Sequence, residues 1–255
     1  MVFLHVYFLL MKPLYKFRLC LFLSLTFLSA CSSGFKLGNY DDPYENVNRK
    51  SHEFNKVIDK KLLKPSSQVY AGMLGKKPTM AISNFSKNWG LPKDFVNYTL
   101  QGDIPNVSKT TGKFLVNSTL GVVGIFDVAG KIGIHARETD FGETLHKWGF
   151  SEGDYVEIIF LGPSTERDAL GKVADLVLDP LAFTLNPWQS RLRTTANIGS
   201  VLGNRNALGV TIDNILYESA DSYAQTKLAY LQGRRFRLNP EISEVYYDPY
   251  EDFNE

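Results

Sequence analysis

Apolar and polar positions along this chain recur with a helical period over most of its length. Val47, Phe54, Ile58 and Leu62 fall on one face of a segment from Tyr44 to Leu63, and Pro65 is predicted to stop it. Asp41-Asp42-Pro43 reads as its start, an Asp cap followed by a proline in the first turn. The opposite face carries Arg49, Lys50, Lys56, Lys60 and Lys61, and is either solvated or turned toward lipid headgroups or a partner. Ser66-Ser67 predicts a cap for a short helix to Leu74, and Gly75 to Pro78 a turn. Helices are then expected over Thr79–Trp89, Lys93–Leu100 and from Asp103 to about Asn117. Thr139-Asp140 caps Phe141–Trp148, and Ser164-Thr165 caps a helix reaching Leu178, with Thr165 to Asp168 at capping-box spacing. A long helical tract follows over Gln189–Asn204 and Asn206–Leu231. Tyr155–Leu161 is the one strand-like run, and a lone strand makes no sheet, so it is expected to be an extended, buried connector.

Two stretches break this pattern. Phe114–Gly130 (FLVNSTLGVVGIFDVAG) has one charge, Asp127, and three glycines, Gly121, Gly124 and Gly130. It is too short and interrupted for an ordinary transmembrane helix of about 20 apolar residues. It is also too apolar for a surface helix, so it sits in a core or enters a membrane part-way as a glycine-tipped hairpin. The second stretch is Leu19–Leu28, a continuous apolar run behind Lys12, Lys16 and Arg18, ending at Leu28-Ser29-Ala30-Cys31. A basic region, an apolar core and a small-residue cleavage site describe a signal peptide over residues 1–30, with Met1 or Met11 as its start. The Cys directly after the small pair resembles the bacterial lipobox. That resemblance implies diacylglycerol on Cys31, three acyl chains (palmitate among them) in all, and a polar tether over 31–41. Ser32, in place of Asp after the cysteine, implies the outer rather than the inner membrane.

Removal of the signal changes the chemistry on offer. Cys20 leaves with it and Cys31 is lipidated, so the mature chain has no disulfide, thiol nucleophile or thiolate metal site. Taking three basic residues from 28 leaves 25 against 27 acids, a net charge of −2, which gives no electrostatic case for nucleic acid. Residues 241–255 carry six acids and no base, an acidic tail expected to be mobile. No Pro/Ser/Gly linker divides the interior, so one domain is expected over 42–240. Of the remaining histidines, His52, His135 and His146, none has metal-ligand company, and no Gly-x-Ser-x-Gly elbow is present. Glu138, Asp140 and Glu143 either bind a cation or, at a helix start, serve the helix dipole, and the second reading is favoured. The chain therefore reads as a non-enzyme, with no cofactor and no metal.

Several blocks together resemble the MlaA (VacJ) family of outer-membrane lipoproteins. They are DPYENVNRKSHEFN at 42–55, FVNYTLQGD at 95–103, KFLVNSTLGVVGIFDVAG at 113–130, DFGETLHKWG at 140–149, LGPSTERD at 161–168 and KLAYLQGRRF at 227–236, in family order. The chain departs from the family pattern at His146-Lys147-Trp148, Gly153-Asp154-Tyr155 and Asp221-Ser222-Tyr223. The resemblance implies an all-α fold: a ring of short amphipathic helices in one leaflet, around a central channel. It implies removal of mislocalised phospholipid from the outer leaflet and its transfer to a soluble periplasmic carrier, in association with a trimeric porin. The alternative is a structural lipoprotein that bridges porin and envelope factors without moving lipid. Channel or hairpin candidates are Asn117, Leu120, Gly121, Gly124, Phe126 and Asp127; Phe54 and Asn55 are candidates for an N-terminal gate. Asn117, Ser118, Thr119 and Asp127 supply polar groups either to a headgroup pathway or to capping within a hairpin.

Overall fold

A computed structural model of the chain describes residues 42–239. The expected signal peptide, the lipidation site at Cys31, the tether and the acidic tail lie outside the described residues. Helices dominate, in the order α1 (Glu45–Ile58), α2 (Lys64–Leu74), α3 (Lys76–Asn88), α4 (Leu91–Gln101), α5 (Ile104–Thr119), α6 (Val128–Lys131) and α7 (Phe141–Lys147). Strands β1 (Tyr155–Ile158) and β2 (Gly162–Thr165) follow, then α8 (Glu166–Leu178), α9 (Leu181–Thr184), α10 (Pro187–Ala207), α11 (Gly209–Asp213) and α12 (Ser222–Leu238).

Most expected boundaries hold because the caps work as read. Asp103, Asp140 and Thr165 each accept a hydrogen bond from the backbone N–H three residues on, and Asp221, which the sequence pattern places inside a continuous helical tract, does the same for a separate last helix. The start of α1 differs. Asp42 makes no cap; its carboxylate instead accepts from Tyr223 Oη, from Lys227 Nζ (3.0 Å) and from Asn48 Nδ2 (3.2 Å), which ties the entry of the chain to α12. Pro65 does not stop the chain either. A π-helical turn over Asp59–Leu63 carries α1 directly into α2, and the wider turn accommodates a residue that has no N–H to give. The expected long tract after Gln189 is one helix to Ala207, unbroken at Gly203, followed by a second π turn at Asn214–Glu218 and a stop before Asp221.

The all-α expectation needs one correction. Tyr155–Ile158 is not a lone connector but pairs antiparallel with Gly162–Thr165, Tyr155 opposite Thr165 and Ile158 opposite Gly162. Gly162-Pro163 reads in sequence as the end of a strand, and Pro is tolerated in β2 because a two-stranded sheet is all edge. Two strands alone are marginal in water. Here α1 covers the free edge of β1. Asn48 Oδ1 accepts from Glu157 N (2.8 Å) while its Nδ2 donates to Tyr155 O (2.9 Å). Two helical turns on, Asn55 repeats the arrangement with Phe160 N (2.8 Å) and Ile158 O (3.0 Å). Two side-chain amides stand in for a third strand.

The helices approach closely where side chains are absent. A Cβ on Gly171 of α8 would lie 2.7 Å from Gly142 Cα of α7, a contact that any larger residue would forbid. Among the described residues the buried hydrophobic set is small: Leu91, Tyr98, Ala129, Tyr155, Ala196, Tyr223, Leu231 and Leu238. Polar and charged residues fill the rest of the interior. Arg234 lies between Asp140 (2.7 Å) and Asp168 (2.7 Å), and Arg205 between Asp59 (2.7 Å) and Asp213 (2.7 Å). Large hydrophobics meanwhile face outward on many elements. They include Leu62, Val69 and Met73; Leu120, Val122 and Phe126; Ile159, Phe160 and Leu161; Leu176, Phe183, Trp188 and Val210. That distribution is the reverse of a water-soluble domain of this size. Among the described residues no helix is long and apolar enough to cross a membrane.

Candidate functional site

Residues 120–126 form the turn between α5 and α6, and Asn117 holds it. Asn117 Oδ1 accepts from the buried Ala129 N (2.8 Å) and its Nδ2 donates to Asp127 Oδ1 (2.9 Å). Asp127 in turn caps α6 by accepting from Gly130 N (3.0 Å). Helix α3 and Trp89 at its C-terminus grip the turn from the other side: Trp89 Nε1 donates to Val123 O (3.3 Å) and Asn84 Nδ2 to Ile125 O (3.2 Å), while Asn88 Nδ2 donates to Ser118 Oγ of α5 (3.0 Å).

The glycines matter mainly through proximity. A Cβ on Gly121 would run into the carbonyl oxygens of Phe126 and Asn117, and one on Gly124 would lie 2.5 Å from Asn88 Cβ. Gly124 also has φ +93°, whereas Gly121 does not need a positive φ. The left-handed positions at the tip fall instead on Val122 (φ 53°) and Val123 (φ 59°), a costly conformation for β-branched residues. Leu120, Val122, Val123 and Phe126 present an exposed apolar tip.

Behind this turn lies a polar cavity of about 260 Å³. Asn117 and Asp127 line it, with Asn84, Lys87 and Asn88 of α3, Lys113 of α5, Ala136–Glu138 and Arg237 of α12. A second cavity of about 290 Å³ adjoins it through the shared residues Lys87, Glu138 and Arg237, and reaches Lys93, Asp94, Asp140, Ser200 and Asn204. Burial alone would raise the Asp127 carboxyl, but hydrogen bonds from Asn117 and Gly130 and the Lys113 ammonium hold it below the usual range. Asp94 shows the opposite balance: burial, with Glu138 and Asp175 nearby, outweighs Lys93 and the Thr139 backbone and pushes it up to about 7.

The sequence candidates divide. Asn117 and Asp127 meet at the cavity wall, and the capping role of Asp127 coexists with its place there. Leu120 and Phe126 lie on the exposed tip, and Gly121 and Gly124 shape the backbone between. Phe54 and Asn55 meet the β1–β2 turn: the Phe54 ring packs edge-on against Phe160 at 5.3 Å, beside the Asn55 clasp. Lys87, Lys93, Asp94 and Arg137 carried no signal in the sequence, and Arg237 stood out only as part of a basic cluster with Arg234 and Arg235, since these residues come from distant segments that only the fold assembles.

One constellation resembles hydrolase chemistry. Ser222 Oγ lies 3.0 Å from His52 Nε2, and His52 Nδ1 lies 3.1 Å from Glu157 Oε1. All three are buried, and Ser222 Oγ also accepts from Lys56 Nζ (3.2 Å). With no access for a scissile carbonyl, the trio pins α1, β1 and α12 together. His146 sits against Arg167 Nη1 (3.5 Å), where burial and the Arg167 charge lower its pKa. Among the described residues no group of His, Cys, Asp or Glu is arranged to hold a metal ion.

The family model for the MlaA lipoprotein matches residues 40–237. The chain belongs to the MlaA lipoprotein family. It is 32% identical over 230 residues to the intermembrane phospholipid transport system lipoprotein MlaA of Escherichia coli K12, covering 88% of this chain and 90% of that one. The Shigella flexneri protein of the same name matches to the same extent. An uncharacterized protein of Rickettsia bellii is 31% identical over 195 residues, 76% of this chain and 75% of its own. A solved structure described as the structural basis for maintenance of bacterial outer membrane lipid asymmetry superposes with a TM-score of 0.65 at 29% identity, over 78% of this chain and all of the other. The mostly helical MlaA fold is thus common to both.

Proposed function

We propose that the protein is a passive phospholipid conduit of the outer membrane. The observation that carries this is the inverted distribution of side chains: apolar residues outside on short helices, polar residues inside, and two adjacent polar cavities behind an apolar turn. Short amphipathic helices with a wide apolar surface suit burial in one leaflet rather than a crossing. The helices then form a ring lying in the inner leaflet, anchored by acyl chains on Cys31. Lipid headgroups move through the polar cavities, while acyl chains stay with the apolar surfaces beside the 120–126 turn. Phospholipid misplaced in the outer leaflet is passed to a soluble periplasmic carrier, with a trimeric porin as neighbour. The names of the transport relatives support this reading, as does the burial of the Ser222–His52–Glu157 trio, which leaves no catalytic role for it.

A strain lacking the protein is expected to accumulate phospholipid in its outer leaflet and to become sensitive to detergent combined with a chelator. Normal asymmetry in that strain would count against the conduit and favour a lipoprotein that only bridges partners. A bridge would also be purified without bound lipid.

A further inference from the structure

We infer that the junction of the two cavities is a subsite for a zwitterionic headgroup, a phosphate diester carrying a primary amine, in preference to a purely anionic one. This inference rests on the conduit reading. Two ion pairs lining the cavities are long, Lys87–Glu138 at 3.5 Å and Lys113–Asp127 at 3.6 Å, and Arg237 stands 3.8 Å from Asp140, whose carboxylate Arg234 already holds. Those that knit the fold, such as Arg205–Asp59 and Arg234–Asp140, close to 2.7 Å. A pair at this separation makes no short hydrogen bond and leaves donor and acceptor capacity on both partners. A ligand that brings its own anion and cation completes both.

Lys87, Glu138 and Arg237 line both cavities, so the two signs meet where the cavities join. Phosphate oxygens fall to Lys87 and Arg237, and the ammonium to Glu138. A glycerol-type anionic headgroup leaves Glu138 facing added negative charge. Each cavity is close to the lower end of the usual range for small-molecule sites, about 300–1,000 Å³.

The test uses the full-length lipoprotein in detergent, equilibrated with micelles of equal phosphatidylethanolamine and phosphatidylglycerol, re-purified and extracted for mass spectrometry. Wild type is expected to carry phosphatidylethanolamine enriched over the bulk ratio. Glu138→Gln is expected to reduce that enrichment about threefold, the scale of one partly exposed ion pair. Glu138 is largely exposed, so the substitution leaves the fold intact, which circular dichroism checks. Lipid carried at the bulk ratio by wild type, or an unchanged ratio in Glu138→Gln, overturns the subsite while leaving the conduit standing. Wild type without any bound lipid overturns both. Excess soluble glycerophosphoethanolamine is expected not to displace the lipid; displacement would assign the site to the free phosphate ester instead.

Discussion

The side-chain amide of Asn117 donates to Asp127 and accepts from Ala129, closing a ten-residue gap between the end of α5 and the cap of α6. One residue therefore fixes the base of the apolar turn. Asn117→Ala leaves the buried Ala129 N–H without its acceptor and frees one side of Asp127. The expected loss is about 1–3 kcal/mol, the cost of a buried donor left unsatisfied. Denaturant titration in detergent reads it, and limited proteolysis is expected to cut within 120–126 in the variant before wild type. Unchanged stability would mean that the grip of α3 through Asn84 and Trp89 is sufficient.

The turn is also expected to be intolerant of side chains at its glycines. In a Gly121→Val, Gly124→Val double variant, one Cβ meets the Phe126 and Asn117 carbonyls and the other meets Asn88, at a left-handed φ. The turn must move out of its place beside the cavity. Lipid asymmetry should fail while the lipoprotein still fractionates with the outer membrane. Asymmetry retained at normal protein level would remove the turn from the conduit.

Asn48 and Asn55 make a different kind of prediction, because sequence reading gave their helix but not their partner. Pattern and caps placed nearly every helix, since both are local. The β1–β2 pairing was hidden: its stability comes from amides two turns apart on α1, more than 100 residues away. Likewise Pro65 reads as a stop until a π turn is admitted, and Lys87, Glu138 and Arg237 form a site only after folding. Asn117 and Asp127 were legible because ten residues separate them. Asn48→Ala should expose the β1 backbone to an unsatisfied interior at a cost of about 1–3 kcal/mol. Asn55→Ala, at the more exposed turn, should cost less and should raise amide hydrogen exchange at Phe160. Equal effects from the two would argue against Asn48 as the main clasp.

Asp94 gives the protein a pH dependence of predictable sign. Burial, reinforced by Glu138 and Asp175, raises its pKa from an ordinary 3.8 to about 7. Between those values the folded protein keeps a proton that the unfolded chain has released. Stability from this group is therefore complete below about pH 4 and declines as pH rises toward 7, where the buried carboxylate must ionise. The full window corresponds to at most about 4 kcal/mol. Asp94→Asn replaces the carboxyl with a neutral group of similar shape and should flatten the dependence. Part of the gain is offset because Asp94 lies in the first turn of α4, where a negative charge is favoured by about 0.3–1 kcal/mol. Melting temperatures in detergent should be similar for the two proteins at pH 4, with the variant higher at pH 8. A variant less stable than wild type at pH 8 would mean that the Asp94 carboxylate is compensated there, with Lys93 the nearest cation able to do it.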